Sequence, residues 1–188
     1  MTTLVTVLGA GRASRFGADK LVQDCAGKPL GKWALDAALV LNLPVVWISG
    51  GVVPEFVGEA CPVARNDRAT EGMGTSVALA ATLADRAGAE RLLVLLADMP
   101  LVTPALLRQL LATTTPAAFR QKDGQSGVPA LLPQVLYRDL QMLSGDRGAG
   151  ALLRRLPSLT LLDCPEQQLA DVDTPAALEK AARWLKQT

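Results

Sequence analysis

Residues 4–8, Leu4-Val5-Thr6-Val7-Leu8, are a β-branched, apolar run without polar alternation. Such a run suits a strand buried on both faces, at the centre of a parallel sheet. It breaks directly into Gly9-Ala10-Gly11, where the chain can turn tightly and bring bare backbone close to a ligand. Three cations follow: Arg12, Arg15 and Lys20. A Gly-rich turn at the carboxyl end of a buried strand, followed by cations, is the arrangement a polyphosphate needs. Backbone N–H groups cradle the phosphates, and Arg and Lys neutralise charge that water no longer screens.

Two other readings compete. Gly9-x-Gly11-x-x-Ser14 approaches the dinucleotide-binding pattern, which also wants an acid about 20 positions on, after the second strand. Here the next strand, residues 44–48, runs into Ser49-Gly50-Gly51 with no acid at its end. A purely structural glycine turn with solvated arginines is the third reading.

Composition narrows the classes. The chain has 188 residues, enough for one full domain, 1–188, with a sizeable core. A net charge of +1 and 49% hydrophobic residues suggest neither a nucleic-acid surface nor a disordered acidic chain. Cys25, Cys61 and Cys164 stand alone without CxxC spacing, so reduced thiols in a cytosolic protein are expected, and no structural zinc. No apolar run reaches membrane-spanning length, and no secretory signal is apparent. Histidine is absent, which removes Ser-His-Asp and Cys-His catalysis.

The remaining pattern alternates strands and helices. Helices are expected over 30–41, 76–86, 105–111, 133–142, 151–156 and 176–186. Strands are expected over 44–48, 62–65, 91–97, 117–121 and 126–132, with an edge strand over 159–162. The polar, glycine-bearing segment 66–76 opens a helix, which makes it either a ligand platform or an ordinary N-terminus capped by Thr75 or Ser76. Asp98 follows the most hydrophobic strand, where open α/β sheets place their chemistry. A carboxylate there is an expected ligand for Mg²⁺, and Thr103-Pro104 already supplies the start of the next helix.

Residues 8–20, LGAGRASRFGADK, resemble the signature of nucleotidyltransferases similar to the molybdenum-cofactor guanylyl- and cytidylyltransferases. Gly9 departs from the alanine usual in that signature, and a smaller residue is expected to do little harm. Gly72-Met73-Gly74-Thr75-Ser76 resembles the family's loop against the nucleotide base, in its cytidylyltransferase version. Leu96-Ala97-Asp98-Met99-Pro100-Leu101 matches its metal-binding motif, and Asp171-Val172-Asp173-Thr174-Pro175 its second carboxylate motif. The turn Gly145-Asp146-Arg147-Gly148 resembles that of cytidylyltransferase-like members, with Gly150 in place of the usual Arg. Val128 stands where the family often has His or Asn before a proline.

The resemblance implies a three-layer αβα, open, mostly parallel sheet with one antiparallel strand: a Rossmann-like, nucleotide-diphospho-sugar transferase-like fold. It implies Mg²⁺-dependent transfer of CMP from CTP to the phosphate of molybdopterin cofactor, with pyrophosphate released. Arg15, Lys20 and Asp98 are the expected catalytic residues, and Asp98 and Asp173 the metal ligands. Leu8, Gly9, Ala10, Gly11, Arg12, Arg15, Lys20, Gly72, Met73, Gly74, Thr75 and Ser76 are the expected nucleotide contacts. A molybdenum hydroxylase or its chaperone is an implied partner. GTP, a sugar-phosphate acceptor, a non-catalytic cofactor-binding chaperone and an NAD(P)-dependent oxidoreductase are the alternatives.

Overall fold

The computed structural model describes residues 1–10, 19–145, 149–156 and 158–187. The strands are β1 (Thr3–Leu8), β2 (Asp24–Cys25), β3 (Lys28–Pro29), β4 (Val45–Ser49), β5 (Val63–Arg65), β6 (Arg91–Leu96), β7 (Ala117–Arg120), β8 (Ser126–Pro133) and β9 (Thr160–Leu162). The helices are α1 (Leu30–Leu39), α2 (Met73–Arg86), α3 (Pro104–Leu111), α4 (Tyr137–Gln141), α5 (Gly150–Leu153) and α6 (Pro175–Leu185).

Seven strands form one sheet in the order β5-β4-β1-β6-β8-β7-β9. β1 is buried along its whole length and pairs in parallel with β4 and β6, Val5 lying opposite both Val45 and Leu93. β8 runs antiparallel to both of its neighbours, β6 and β7, and is the sheet's one reversed strand. β9 closes the edge beside β7.

Alternation along the strands divides the core into two layers. Val5, Val7, Trp47, Leu93 and Leu95 face α1 and α3, together with Ala34, Leu35, Leu107 and Leu110. Leu4, Leu8, Ile48, Leu92 and Val94 face α2 and α4, together with Val77, Ala81, Tyr137 and Leu140. Each such Val or Leu contributes about 1.5–3 kcal/mol through burial, which is why apolar strands without alternation occupy the centre. A smaller cluster of Cys25, Leu30, Val172 and Ala181 fastens the β2–β3 hairpin and α6 to one end of the domain's chain path. Among the described residues no helix is long and apolar enough to cross a membrane.

Several local expectations need correction. Neither Thr75 nor Ser76 caps α2. The helix begins at Met73, its cap is Gly72 with φ of 116°, and no side chain caps it. Residues 133–142 are not one helix: Pro133 ends β8, Gln134–Leu136 is a 3-10 turn, and α4 follows. The β2–β3 hairpin turns through Ala26 and Gly27, both at positive φ. Its strands are two residues each, too short for any periodicity to announce them. Thr103 and Thr174, by contrast, cap α3 and α6, each followed by its first-turn proline.

Gly9 is more than a tolerated change. A Cβ at that position would run into the indole ring of Trp47, which is fully buried. The large ring on β4 fills the space an alanine methyl would need, so residue 9 must be glycine while residue 47 is tryptophan.

Candidate active site

β1 and β6 end side by side, with Leu8 opposite Leu96, and Ala97 N–H donates to the Leu8 carbonyl at 3.1 Å. Beyond their carboxyl ends opens a cleft of about 380 Å³. Leu8, Gly9 and Ala10 line it from β1, and Gly72, Met73 and Ser76 from the start of α2. Lys20, Asp98 and Asp173 converge in it, with Asp171 beside them. Expected residues from five separate segments therefore share one cleft. Gly11, Arg12 and Arg15 lie outside the described residues, as does the turn 146–148.

Lys20 opens a 3-10 turn, Lys20–Val22, whose first free N–H, that of Leu21, is taken by the Asp19 carboxylate at 3.1 Å. The turn aims the Lys20 ammonium inward. Its Nζ donates to Asp98 Oδ2 at 2.7 Å and to Asp173 Oδ1 at 2.7 Å. The lysine side chain is only 7% exposed, against 18% for Asp98 and 52% for Asp173. Asp98 is held by the sheet, immediately beyond β6. Asp173 is held by its neighbour: Val172 is buried against Cys25 and Leu30, and its N–H donates to the Asp98 carbonyl at 2.9 Å.

The electrostatics follow from that geometry. Burial alone would lower the Lys20 pKa, but attraction to Asp98 and the hydrogen bonds from both carboxylates overcome it and raise it above the ordinary lysine value. Burial dominates at Asp98 and pushes its carboxyl upward. Lys20 opposes this, and the charges of Asp171 and Asp173 add to it.

Asp98 Oδ1 is buried and has no hydrogen-bond partner among the described residues. A buried carboxylate oxygen without a partner is costly, and a cation in the cleft would satisfy it. Among the described residues no group of three or more His, Cys, Asp or Glu could hold a metal ion unaided. The carboxylates that would be offered to such a cation are those of Asp98 and Asp173, leaving other positions to phosphate and water. That set fits a hard divalent cation.

The opposite wall rests on a residue the sequence left unmarked. Asn66 follows β5 and is 5% exposed. Its amide donates to Thr75 Oγ1 and to Ser76 Oγ, both at 2.9 Å, while its side-chain oxygen accepts from Arg68 N–H at 3.0 Å. Gly74 N–H donates to the Gly145 carbonyl at 2.8 Å. Gly74 and Thr75 therefore brace the loop from behind, whereas Gly72, Met73 and Ser76 present to the cleft. The only sequence hint of Asn66 was a polar residue at the end of a strand. Ala10 packs at the same wall: a Cβ on Gly50 would meet Ala69 Cβ at 2.6 Å and Ala10 Cβ at 3.1 Å. Gly50 thus packs closely against Ala10 and Ala69, two residues of that wall.

A mostly parallel seven-stranded sheet between helices, with this cleft at the strand ends, is the nucleotidyltransferase fold of the nucleotide-diphospho-sugar transferases. The chain belongs to the family of the MobA-like NTP transferase domain, whose model matches residues 5–160. Across 193 residues it is 28% identical to the purine catabolism protein PucB of Bacillus subtilis (strain 168), covering 94% of each chain. The fold is also that of Rv0371c from Mycobacterium tuberculosis H37Rv in its complex with manganese, with a TM-score of 0.76, 21% identity, and 97% and 99% of the two chains covered. The molybdopterin-guanine dinucleotide biosynthesis protein A of Archaeoglobus fulgidus superposes with a TM-score of 0.70 at 18% identity, over 98% of this chain and 100% of the other.

Proposed function

We propose that the protein, acting as one nucleotidyltransferase domain, transfers CMP from CTP to the phosphate of molybdopterin cofactor, giving molybdopterin cytosine dinucleotide and pyrophosphate. The observation that carries this reading is the Lys20–Asp98–Asp173 cluster, facing the glycine-lined wall at the carboxyl ends of β1 and β6. An acceptor phosphate oxygen attacks the α-phosphorus, a new P–O bond forms, and the bond to the β-phosphate breaks. Such transfer rests on positioning and electrostatic stabilisation rather than on a side-chain nucleophile, which accords with a chain lacking histidine.

In this reading Asp98 and Asp173 hold Mg²⁺, which when bound supplies positive charge to the triphosphate. The manganese complex of Rv0371c supports a divalent cation in this fold. Lys20, together with Arg15, neutralises the charge that builds on the leaving pyrophosphate. Gly9 and Ala10, with Gly11 and Arg12, carry the nucleotide on one side, and residues 72–76 bound the base on the other.

Room for the acceptor lies next door. A second cleft, of about 400 Å³, shares Asp171 with the first and is lined by Arg120, Gln121 and Lys122 among others. Val128 brings no polar side chain of its own, but Gln121, which lines this cleft, donates its Nε2 to the Val128 carbonyl at 3.2 Å, so an amide lies beside that position.

The test is pyrophosphate release with Mg²⁺, screening CTP, GTP, ATP and UTP with and without molybdopterin cofactor. Release with CTP only when the cofactor is present supports the proposal. Release with GTP instead would give the guanylyl reading, which the name of the Archaeoglobus fulgidus neighbour favours. Release only with a sugar phosphate would replace the acceptor.

A further inference from the structure

The ammonium of Lys20 occupies the space between the two carboxylates that the proposed function gives to the metal. It stands 2.7 Å from each, in a side chain almost closed to solvent. Lys20 joins Asp98 Oδ2 to Asp173 Oδ1, and a divalent ion bridging those same two oxygens would take the place of its ammonium. Two cations side by side in a partly desolvated site repel strongly.

We propose that Lys20 is the resident counter-ion of the nucleotide-free protein, and that divalent metal enters only as Lys20 leaves. The inference rests on the reading of Asp98 and Asp173 as metal ligands, and it adds an order of events. Lys20 keeps the carboxylate pair neutralised and in place before substrate arrives. The cleft that holds the lysine also holds the glycine-lined wall of Gly9, Ala10, Gly72 and Met73, so a triphosphate there offers anionic oxygens within the same space. Lys20 exchanges its carboxylates for those oxygens, and the vacated pair, with the buried Asp98 Oδ1, accepts the metal that accompanies the nucleotide. Metal and nucleotide therefore bind with positive coupling, each being weak without the other.

The consequence can be read without turnover. Mn²⁺ binding is measured by electron paramagnetic resonance on the full-length protein with no nucleotide present. Lys20→Met removes the ammonium and keeps the stem. It should bind free Mn²⁺ at least about tenfold more tightly than the wild type, the scale on which neighbours of a metal site tune its affinity. Its melting temperature should be lower than wild type and should recover with Mn²⁺, since two carboxylates then face each other unpaired. Lys20→Gln, which retains a hydrogen-bond donor between the carboxylates, guards against a folding defect and should show the same gain. In the wild type, a non-hydrolysable CTP analogue should raise Mn²⁺ affinity. Unchanged or weaker Mn²⁺ binding in both lysine variants would overturn the proposal. That result is distinct from failure of the proposed reaction, since the pyrophosphate screen tests the substrates and the nucleotide-free titration tests only the exchange. Loss of the gain when Asp98→Asn is added to Lys20→Met would place the ion at the carboxylate pair. Persistence of the gain would place it elsewhere and equally overturn the proposal.

Discussion

The backbone N–H of Val172 donates to the carbonyl of Asp98 at 2.9 Å, which ties the loop bearing Asp171 and Asp173 to the end of β6. Val172 is 1% exposed and packs with Cys25, Leu30 and Ala181, so the two carboxylates meet because a valine between Asp171 and Asp173 is buried. Val172→Ala should cost about 2 kcal/mol in urea unfolding, from lost transfer energy and the cavity left behind. It should also lower turnover at temperatures where the protein remains folded, because small misplacements of catalytic groups are expensive. Unchanged turnover with the expected loss of stability would show that Val172 does not position Asp173.

Removing the charge at Asp98 tests the centre of the site. Asp98→Asn preserves volume and leaves Lys20 its partner Asp173. Pyrophosphate release should fall about 10²–10³-fold, the scale of a lost transition-state contact, with circular dichroism unchanged. An active variant would remove Asp98 from the metal role.

Gly9 and Trp47 form a size-matched pair. Gly9→Ala should destabilise the fold by about 1–3 kcal/mol, the cost of overpacking, because the new methyl meets the Trp47 ring. Combining it with Trp47→Phe should cost less than the sum of the two single changes, since the smaller ring vacates the space. Simple additivity in denaturant titrations would show that the two side chains do not compete.

Tyr137 shapes the alkaline limit of stability. Its hydroxyl is buried and donates to the Ala89 carbonyl at 3.0 Å, and burial pushes its pKa well above that of a free tyrosine. A group whose folded pKa is raised stabilises the fold below its unfolded pKa and loses that contribution as pH rises toward the folded value. Unfolding free energy should therefore decline above pH of about 10. Lys20, also raised, adds to the decline from about pH 10.4 upward by the same sign. Tyr137→Phe should lose about 1 kcal/mol at neutral pH while flattening the alkaline limb. A limb unchanged in the phenylalanine variant would assign it to other groups.

Much of the fold was legible because its signals are local. The run from Leu4 to Leu8 and the run from Arg91 to Leu96 lack alternation, and they are the two central strands. Thr103-Pro104 and Thr174-Pro175 start helices by their own chemistry. Lys20 was marked by the cations after the glycine turn, Asp98 by its place beyond the most hydrophobic strand and Asp173 by motif resemblance, and their meeting in one cleft required the fold. What stayed hidden depends on which side chains the fold brings together. The inward turn of Thr75 and Ser76 is set by Asn66, the β2–β3 hairpin is held by α6, and Gly9 is required by a tryptophan on the neighbouring strand. Gly9 and Trp47, and the hairpin and α6, lie too far apart for one window to hold both partners, and within 66–76 nothing in the residue types says that Asn66 turns back onto Thr75 and Ser76.

The most direct test is the mass of the product formed when wild-type protein, CTP, molybdopterin cofactor and Mg²⁺ are incubated together. The account predicts a single new species equal to the cofactor plus CMP, with one pyrophosphate released per product, and none from the Asp98→Asn variant. CTP left intact beside unmodified cofactor, under conditions where the nucleotide demonstrably binds, would contradict it.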